Sequence, residues 1–262
     1  MSRGAGLELS ASAIIEHLER LLANNGMRGA LAFDADGTLW SGDVGEEAFS
    51  HALARDAILE DARPALEREV QSFAPDARGA PTLMAAELFK AYRAGRFPEL
   101  SACELMVWCY AGWTPAELRR HVREALGLRT SRVRPYRPLL EVATWARKRG
   151  LRCIVVSASP QMVVEEAAAP LGFNAEDIVG GEATLSDGQF QPTLLGPIPY
   201  AAEKARRGRE LIGDLPWLAS FGDSAFDLEL LKEARLPVAV RPKPALIALL
   251  EQVPGAAVFH DA

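Results

Sequence analysis

An apolar run that ends in two aspartates constrains the fold of this chain more than any other stretch. Residues 29–33 are apolar and short enough for a buried strand, and they are followed by Asp34, Asp36, Gly37 and Thr38. Two carboxylates at the end of a buried strand repel each other and lose solvation, so their placement there indicates a nearby cation or reacting group. We therefore interpret Asp34 as a nucleophile and Asp36 as its acid–base partner.

A second pattern, alternating strand and helix, begins at Tyr136 and continues to the end of the chain. Short apolar runs are separated by stretches of helical length, which predicts buried strands joined by helices. Such alternation favours a parallel sheet that is covered on both faces. We predict an α/β core, Rossmann-like in architecture, with later strands at 151–156, 178–180, 217–221, 237–240 and 256–259.

Residues 41–135 interrupt this core with helical patterns and hold no convincing β-branched run. A parallel crossover needs only about a dozen residues, far fewer than this stretch contains. We interpret it as an inserted helical cap domain between two parts of the core, residues 1–40 and 136–262, with residues 1–9 as a loose tail. The predicted cap helices lie near 44–59, 62–73, 80–94, 99–110 and 114–126.

Composition and charge argue against several functional classes. The 262 residues are 49% apolar and carry a formal net charge of −6, which disfavours a general nucleic-acid surface. The sequence has no window of about 18 apolar residues, so we expect neither a membrane span nor secretion. The three cysteines have no paired metal-ligand spacing, and we expect reduced thiols in a cytoplasmic protein.

Polar side chains follow three of the predicted strands at their carboxyl ends, where open α/β sheets bind ligands. Ser157 follows the second core strand, and Asp223 follows a later one with Asp227 four residues further on. Lys204 lies near the start of a predicted helix between them. Together with the two aspartates of the first strand, these residues indicate phosphate chemistry with a hard cation.

Four ordered motifs make the chain similar to the haloacid dehalogenase-like phosphohydrolase superfamily. They are DADGTL after the first strand, VVSAS at the end of the second core strand, the helix that carries Lys204, and GDSAFD. The helical insertion after the first motif and a predicted hairpin at 183–190 resemble the phosphoserine phosphatase-like branch. The resemblance covers residues 29–40 and 136–240.

The resemblance implies a two-step phosphoryl transfer. Asp34 would attack phosphorus and form an aspartyl-phosphate, and Asp36 would protonate the leaving oxygen and later accept a proton from water. Mg²⁺ would offset negative charge, held by the Asp34 carboxylate, the Asp36 main-chain carbonyl and Asp223. Asp227 would orient Lys204 or a metal-bound water. The phosphate-binding residues would be Thr38, Ser157, Ala158 and Lys204.

The implied substrate is a small phosphorylated metabolite, and two positions depart from the phosphoserine phosphatase pattern. Phe226 stands where that branch usually has asparagine, and Asp43 stands where it has the glutamate that binds the substrate amine. Asp43 is therefore a candidate specificity residue. Two other functions would use the same fold: a phosphotransferase, in which an alcohol replaces water, and a non-catalytic module that binds a phosphorylated metabolite.

The candidate residues also have purely structural interpretations, which for Asp34 and Asp36 are a solvated turn or a helix N-cap. Ser157 and Asp223 could cap the helices that follow them, and Asp227 could be a surface carboxylate. Lys204 has arginine neighbours and could lie on a solvated helix face, while Asp43 could stabilise a loop turn. Aromatic residues of the insertion are more typical of a cap core than of a substrate pocket, and this applies to Trp108, Tyr110 and Trp113.

Overall fold

A parallel sheet forms the centre of the molecule. The computed structural model describes residues 7–23, 28–127, 131 and 133–260. The strands are β1 (Leu7–Glu8), β2 (Ala30–Phe33), β3 (Trp40–Ser41), β4 (Arg134–Pro135), β5 (Arg152–Pro160), β6 (Ile178–Gly181), β7 (Ala183–Ser186), β8 (Gln189–Leu194), β9 (Trp217–Gly222), β10 (Leu236–Val240) and β11 (Ala257–Phe259). Seven strands within the described residues form one parallel sheet in the order β1-β11-β10-β9-β2-β5-β6. This sheet confirms the predicted Rossmann-like α/β core.

The α-helices cover the sheet and build the insertion. They are α1 (Ala11–Ala23), α2 (Val44–Ala54), α3 (Arg63–Phe73), α4 (Pro81–Arg93), α5 (Glu99–Trp108), α6 (Pro115–Gly127), α7 (Arg137–Lys148), α8 (Gln161–Ala168), α9 (Ala202–Ile212), α10 (Leu228–Lys232) and α11 (Pro244–Ile247). Among the residues with described positions, no helix has the length and apolar character needed to cross a bilayer.

Strand β2 is an interior strand of the sheet and the point where strand order reverses, because it lies between β9 and β5. Its four residues have no exposed surface, as expected for a parallel strand covered on both faces. Phe33 stands opposite Val155 of β5 and Phe221 of β9. Since parallel strands end at the same edge, the residues that follow these three positions meet at the switch point, where such sheets bind ligands.

The insertion of helices α2–α6 follows β2, as predicted. Its ends are joined by the antiparallel ribbon of β3 and β4, in which Trp40 pairs with Pro135 and Ser41 pairs with Arg134. The helical insertion within an α/β core is therefore confirmed. The division at residues 40/41 and 135/136 stays a prediction.

Hydrogen bonds between described residues hold the insertion against the core. Arg119 of α6 donates to Glu165 and Glu166 of α8 at 2.7 and 2.9 Å. The backbone N–H of Gly112 donates to the carbonyl of Phe190, in the core ribbon formed by β7 and β8, at 2.8 Å. These contacts place helices of the insertion beside the same sheet edge at which the central strands end.

Some element boundaries differ from the sequence prediction. Residues 7–8 are not part of a loose tail, because Leu7 and Glu8 pair in parallel with β11 at the sheet edge; residues 1–6 of the predicted tail lie outside the described residues. A strand of two residues has too little pattern to predict, since distant pairing alone defines it. The helix predicted at 44–59 ends at Ala54, and the positive φ of 50° at Asp56 marks the stop.

Replacing Phe33 with alanine should strongly destabilise the protein. The ring is fully buried, stacks on Phe221 with a centroid distance of 4.6 Å, and meets Phe173 edge-on at 5.9 Å. Loss of these contacts and the resulting cavity should lower the free energy of unfolding by about 3–5 kcal/mol in denaturant titrations. The control Leu185→Ala, at an exposed hairpin position, should change it by less than about 0.5 kcal/mol. Equal effects of the two substitutions would contradict the assigned core.

Candidate active site

Lys204 is at the centre of the candidate site and joins two strand ends. Its Nζ donates to Asp34 Oδ1 at 2.6 Å and to Asp227 Oδ1 at 2.5 Å. Asp34 follows β2, Asp227 lies four residues after Asp223, which follows β9, and Lys204 lies in the first turn of α9. All three side chains in these two ion pairs are buried, so neither Lys204 nor Asp227 is a surface residue.

Both carboxylate oxygens of Asp227 accept hydrogen bonds from protein donors. Oδ2 accepts hydrogen bonds from the backbone N–H of Asp223 at 3.1 Å and from both the backbone N–H and the hydroxyl of Ser224 at 2.9 Å. Oδ1 accepts from Lys204. Gly222 leaves the room that this carboxylate needs, because a Cβ there would lie 2.4 Å from the Cβ of Asp227. Asp227 thus positions Lys204 and the loop that carries Asp223.

Asp34 and Asp223 face each other across the sheet edge. Asp34 Oδ2 accepts from the hydroxyl of Thr38 at 2.9 Å, and Asp223 Oδ2 lies 3.0 Å from the Nζ of Lys243. One oxygen of each of the carboxylates of Asp34, Asp223 and Asp227 lies within 4.8 Å of the others. The sequence reasoning missed Lys243, although it follows β10 at this edge and could have been found by extending the strand-end argument to that strand.

The three carboxylates outnumber the buried cations, and the pKa values of Asp34 and Asp223 are both raised. Burial and repulsion from Asp227 raise the pKa of Asp34 from its ordinary 3.8 to about 8, although Lys204 acts to lower it. Burial, opposed by Lys243, raises the pKa of Asp223 to about 6. Burial acts to lower the pKa of Lys204, but Asp227 and Asp34 together raise it above its ordinary value. The ammonium is therefore retained, and negative charge is in excess when all three carboxylates are ionised.

This donor set fits a hard divalent cation. Mg²⁺ prefers carboxylate and carbonyl oxygens, and an excess of buried negative charge favours its binding. Asp34 and Asp223 are better placed as ligands than Asp227, whose oxygens already accept four hydrogen bonds from protein donors. Asp223 can lie close to the turn after Asp34 because Gly37, whose φ is 84°, has no Cβ. A Cβ at this position would lie 2.0 Å from Asp223 Oδ2.

Asp36 turns away from Lys204, towards the insertion. Its Oδ1 accepts from Trp40 Nε1 and from the backbone N–H of Val44, both at 2.8 Å, and its Oδ2 accepts from the hydroxyl of Ser159 at 2.7 Å. The sequence reasoning assigned no role to Trp40 or Ser159. The signal for Ser159 was its place two residues after Ser157, on the same side of an extended strand.

The remaining predicted residues lie around this centre. Ser157 is buried near the end of β5, where its hydroxyl accepts from the backbone N–H of Ser159 at 3.1 Å, and Ala158 follows it. Asp43 caps α2 by accepting from the N–H of Glu46 at 2.8 Å. Burial and the neighbouring Asp36 raise the pKa of Asp43 well above its ordinary value. Two of the aromatic residues of the insertion are buried in the core, namely Trp108 and Tyr110.

A cavity of about 680 Å³ opens beside Asp36 between the core and the insertion. Its core side includes Gly37, Asp223 and Lys243, and its insertion side includes Asp43, Glu46, Tyr92 and Glu99. Its size is within the usual range for small-molecule sites. The candidate acid Asp36 and the candidate metal ligand Asp223 thus line a space that can hold a small ligand.

Comparison with known proteins is consistent with this geometry. Residues 31–232 match the family model described as haloacid dehalogenase-like hydrolase, from within β2 to the end of α10. The chain belongs to the haloacid dehalogenase-like hydrolase family. The match spans the insertion and all four motifs, so the predicted family membership is confirmed.

Two curated relatives match parts of this hydrolase. Protein CicA of Caulobacter vibrioides (strain NA1000 / CB15N) is 36% identical over 94 residues, 34% of this chain and 41% of CicA. Phosphoserine phosphatase SerB2 of Mycobacterium tuberculosis (strain ATCC 25618 / H37Rv) is 29% identical over 118 residues, 44% of this chain and 27% of SerB2. The matched part of the chain therefore spans less than half the length of either relative.

Solved structures share the fold. A conserved protein of unknown function from Anaerococcus prevotii DSM 20548 is 16% identical, with a TM-score of 0.71 over 96% of this chain and 91% of that chain. The phospho-aspartyl intermediate analogue of phosphoserine phosphatase is 18% identical, with a TM-score of 0.51 over 88% of this chain and 93% of that chain. At these identities the similarity establishes the architecture of this family member.

The metal-free protein should lose stability as pH rises from about 4 to about 8. An acid whose pKa is higher in the folded protein than in the unfolded chain stabilises the fold fully below the unfolded pKa, and this contribution is lost as pH rises through the folded pKa. The window runs from 3.8 to about 8 for Asp34 and from 3.8 to about 6 for Asp223. Chemical unfolding with EDTA should show a smaller pH dependence in Asp34→Asn than in the wild type.

Mg²⁺ should raise the melting temperature more at pH 8 than at pH 5, because the ion competes with protons for the same carboxylates. Asp223→Asn should remove most of this increase. The matched control Asp187→Asn, in the exposed hairpin turn, should keep it. An equal increase at both pH values, or a full increase in Asp223→Asn, would contradict a cation site at Asp34 and Asp223.

Proposed function

We propose that this family member is a Mg²⁺-dependent phosphomonoesterase that hydrolyses a small phosphorylated metabolite. The observation that carries the proposal is the buried carboxylate of Asp34, held by Lys204 at 2.6 Å and by Thr38 at 2.9 Å at the sheet's switch point. A buried nucleophile beside a fixed cation is suited to attack an anionic phosphoryl group. The partial match to a protein named phosphoserine phosphatase supports the reaction class.

The first step joins Asp34 to phosphorus. A carboxylate oxygen of Asp34 attacks, the bond from phosphorus to the ester oxygen breaks, and an aspartyl-phosphate remains. Lys204 neutralises the transferring oxygens, while Thr38 and the strand end at Ser157 and Ala158 supply donors to them. The burial of these groups limits water around the reacting oxygens and strengthens each interaction.

Asp36 serves the leaving group and then the attacking water. It protonates the ester oxygen as the bond to phosphorus breaks, so that a neutral alcohol leaves. In the second step it accepts a proton from the water that hydrolyses the aspartyl-phosphate, which returns Asp36 to its starting state. Its place in the cavity wall, on the side of the insertion, is where a leaving group would lie.

Mg²⁺, when bound, offsets the repulsion between the Asp34 carboxylate and the phosphate dianion. We assign the Asp34 and Asp223 carboxylates and the main-chain carbonyl of Asp36 as the ligands that would hold it. Asp227 supports this site through Lys204 and through the backbone N–H of Asp223.

The insertion at residues 41–135 would act as the cap that selects the substrate. The cavity is lined on this side by Asp43, which we propose as a specificity residue because it lies beside Asp36. Phe226 packs on Tyr200, with a ring-centroid distance of 4.4 Å, and supplies no polar group of the kind that asparagine would bring. A cytoplasmic location is part of the proposal, since Cys103, Cys109 and Cys153 are unpaired.

Substitution of either aspartate should abolish most turnover. With a panel of phosphate monoesters and Mg²⁺, Asp34→Asn should lower the rate of phosphate release at least about 10³-fold, and Asp36→Asn about 10²-fold or more. EDTA should suppress the wild-type rate, and Mg²⁺ should restore it. Asp187→Asn should keep wild-type activity.

The panel also separates the alternatives. Transfer of phosphate to an added alcohol in preference to water would identify a phosphotransferase instead. If the wild type released no phosphate from any ester while still binding one, the non-catalytic interpretation would replace the proposed function.

A further inference from the structure

We propose that Ser159 is a positioning residue that orients the carboxylate of Asp36 for proton transfer to the leaving group. The inference rests on the proposed function, since it concerns how the acid of that reaction is held. The hydroxyl of Ser159 donates to Asp36 Oδ2 at 2.7 Å. The two residues are 123 positions apart in the chain, and their contact joins the end of β5 to the turn after β2.

The two oxygens of Asp36 have partners of different chemistry. Oδ1 accepts from the Trp40 indole N–H and the Val44 backbone N–H. Both groups can only donate, so Oδ1 must stay an acceptor in every state of the reaction. Oδ2 is paired with a hydroxyl, which can either donate or accept. The proton that Asp36 carries therefore belongs on Oδ2, beside Ser159.

This assignment gives a balanced proton path. Protonated Oδ2 gives its proton to the ester oxygen as that oxygen takes the electron pair of the breaking bond to phosphorus, and the alcohol leaves neutral. The Asp36 carboxylate that remains accepts the Ser159 hydroxyl as a donor, which is the arrangement observed. Rotation of one hydroxyl lets Ser159 serve both states without movement of the backbone.

Ser159 is itself held in place. Its side chain is buried, and its backbone N–H donates to the hydroxyl of Ser157 at 3.1 Å. Gly45 of α2 leaves space for the hydroxyl, because a Cβ there would lie 3.1 Å from Ser159 Oγ. A buried hydroxyl locked between the phosphate-binding strand end and the start of the insertion defines one orientation for Asp36.

The test compares two esters that depend differently on a general acid. An alkyl phosphate has a poor leaving group that needs protonation, whereas p-nitrophenyl phosphate has a good one that hardly needs it. Ser159→Ala should lower kcat about 10-fold or more on the alkyl ester and less than about threefold on p-nitrophenyl phosphate, with little change in KM. Ser159→Cys, which keeps the side-chain shape with a slightly larger atom and loses most of the hydrogen bond, should show the same selectivity.

Two further variants assign the effect to Asp36. In the Asp36→Asn background, Ser159→Ala should lower kcat on the alkyl ester by less than about twofold, because the effects of residues that act as a unit are not additive. The exposed hairpin serine provides the control, and Ser186→Ala should leave both rates unchanged.

Each outcome either supports or overturns the positioning role of Ser159. The positioning role would be overturned if Ser159→Ala and Ser159→Cys lowered kcat equally on both esters or did not lower it at all. Additive losses of kcat with Asp36→Asn would also overturn it. In each of these cases an active wild type would still support the proposed function. A wild type inactive on both esters would overturn the proposed function and this inference together. If Ser159→Ala fails to fold in a thermal-unfolding check, the Ser159→Cys result decides alone.

Discussion

The ammonium of Lys204, bonded to both Asp34 and Asp227, is the interaction on which the site depends. Buried charges are stable only when they are paired and hydrogen-bonded, so each member of this group requires the others. Lys204 reaches across from α9 to the ends of β2 and β9, and Asp227 in turn binds the backbone N–H of Asp223. Two strand ends and one helix start are thereby fixed relative to one another, although 170 residues separate Asp34 from Lys204.

The carboxylates of this site carry more negative charge, when ionised, than Lys204 neutralises, and this explains why the site can bind a cation. Three carboxylates share one fully buried ammonium, and the pKa values of Asp34 and Asp223 are both raised. In a site of this kind the ionised carboxylates repel one another until a proton or a cation binds. The charge balance thus connects the stability of the fold, its pH dependence and the proposed use of a metal ion.

The two aspartates of the first motif take separate positions because Asp34 ends the strand while Asp36 lies inside a sharp turn from Ala35 to Thr38. The backbone N–H of Thr38 donates to the carbonyl of Ala35, and Gly37 has a positive φ of 84°. This turn leaves Asp34 with Lys204 and directs Asp36 to Ser159 and the start of α2. The proposed nucleophile Asp34 therefore lies at the end of a sheet strand, whereas the proposed acid Asp36 contacts both the sheet and the insertion.

The sequence by itself determined the strand β2, the α/β alternation, the helical insertion and the family, because apolar periodicity and ordered motifs are local signals. It also identified Asp34, Asp36, Lys204 and Asp223 as residues of one sheet edge. Only the tertiary structure decided that Leu7–Glu8 pairs with β11, that Asp43 caps a helix beside Asp36, and that Ser159 and Lys243 join the site. The cap at Asp43 is a local contact that lies beside Asp36 only in the folded chain. The other features arise from contacts between segments that are further apart, and such contacts leave no periodic trace in the residues that make them.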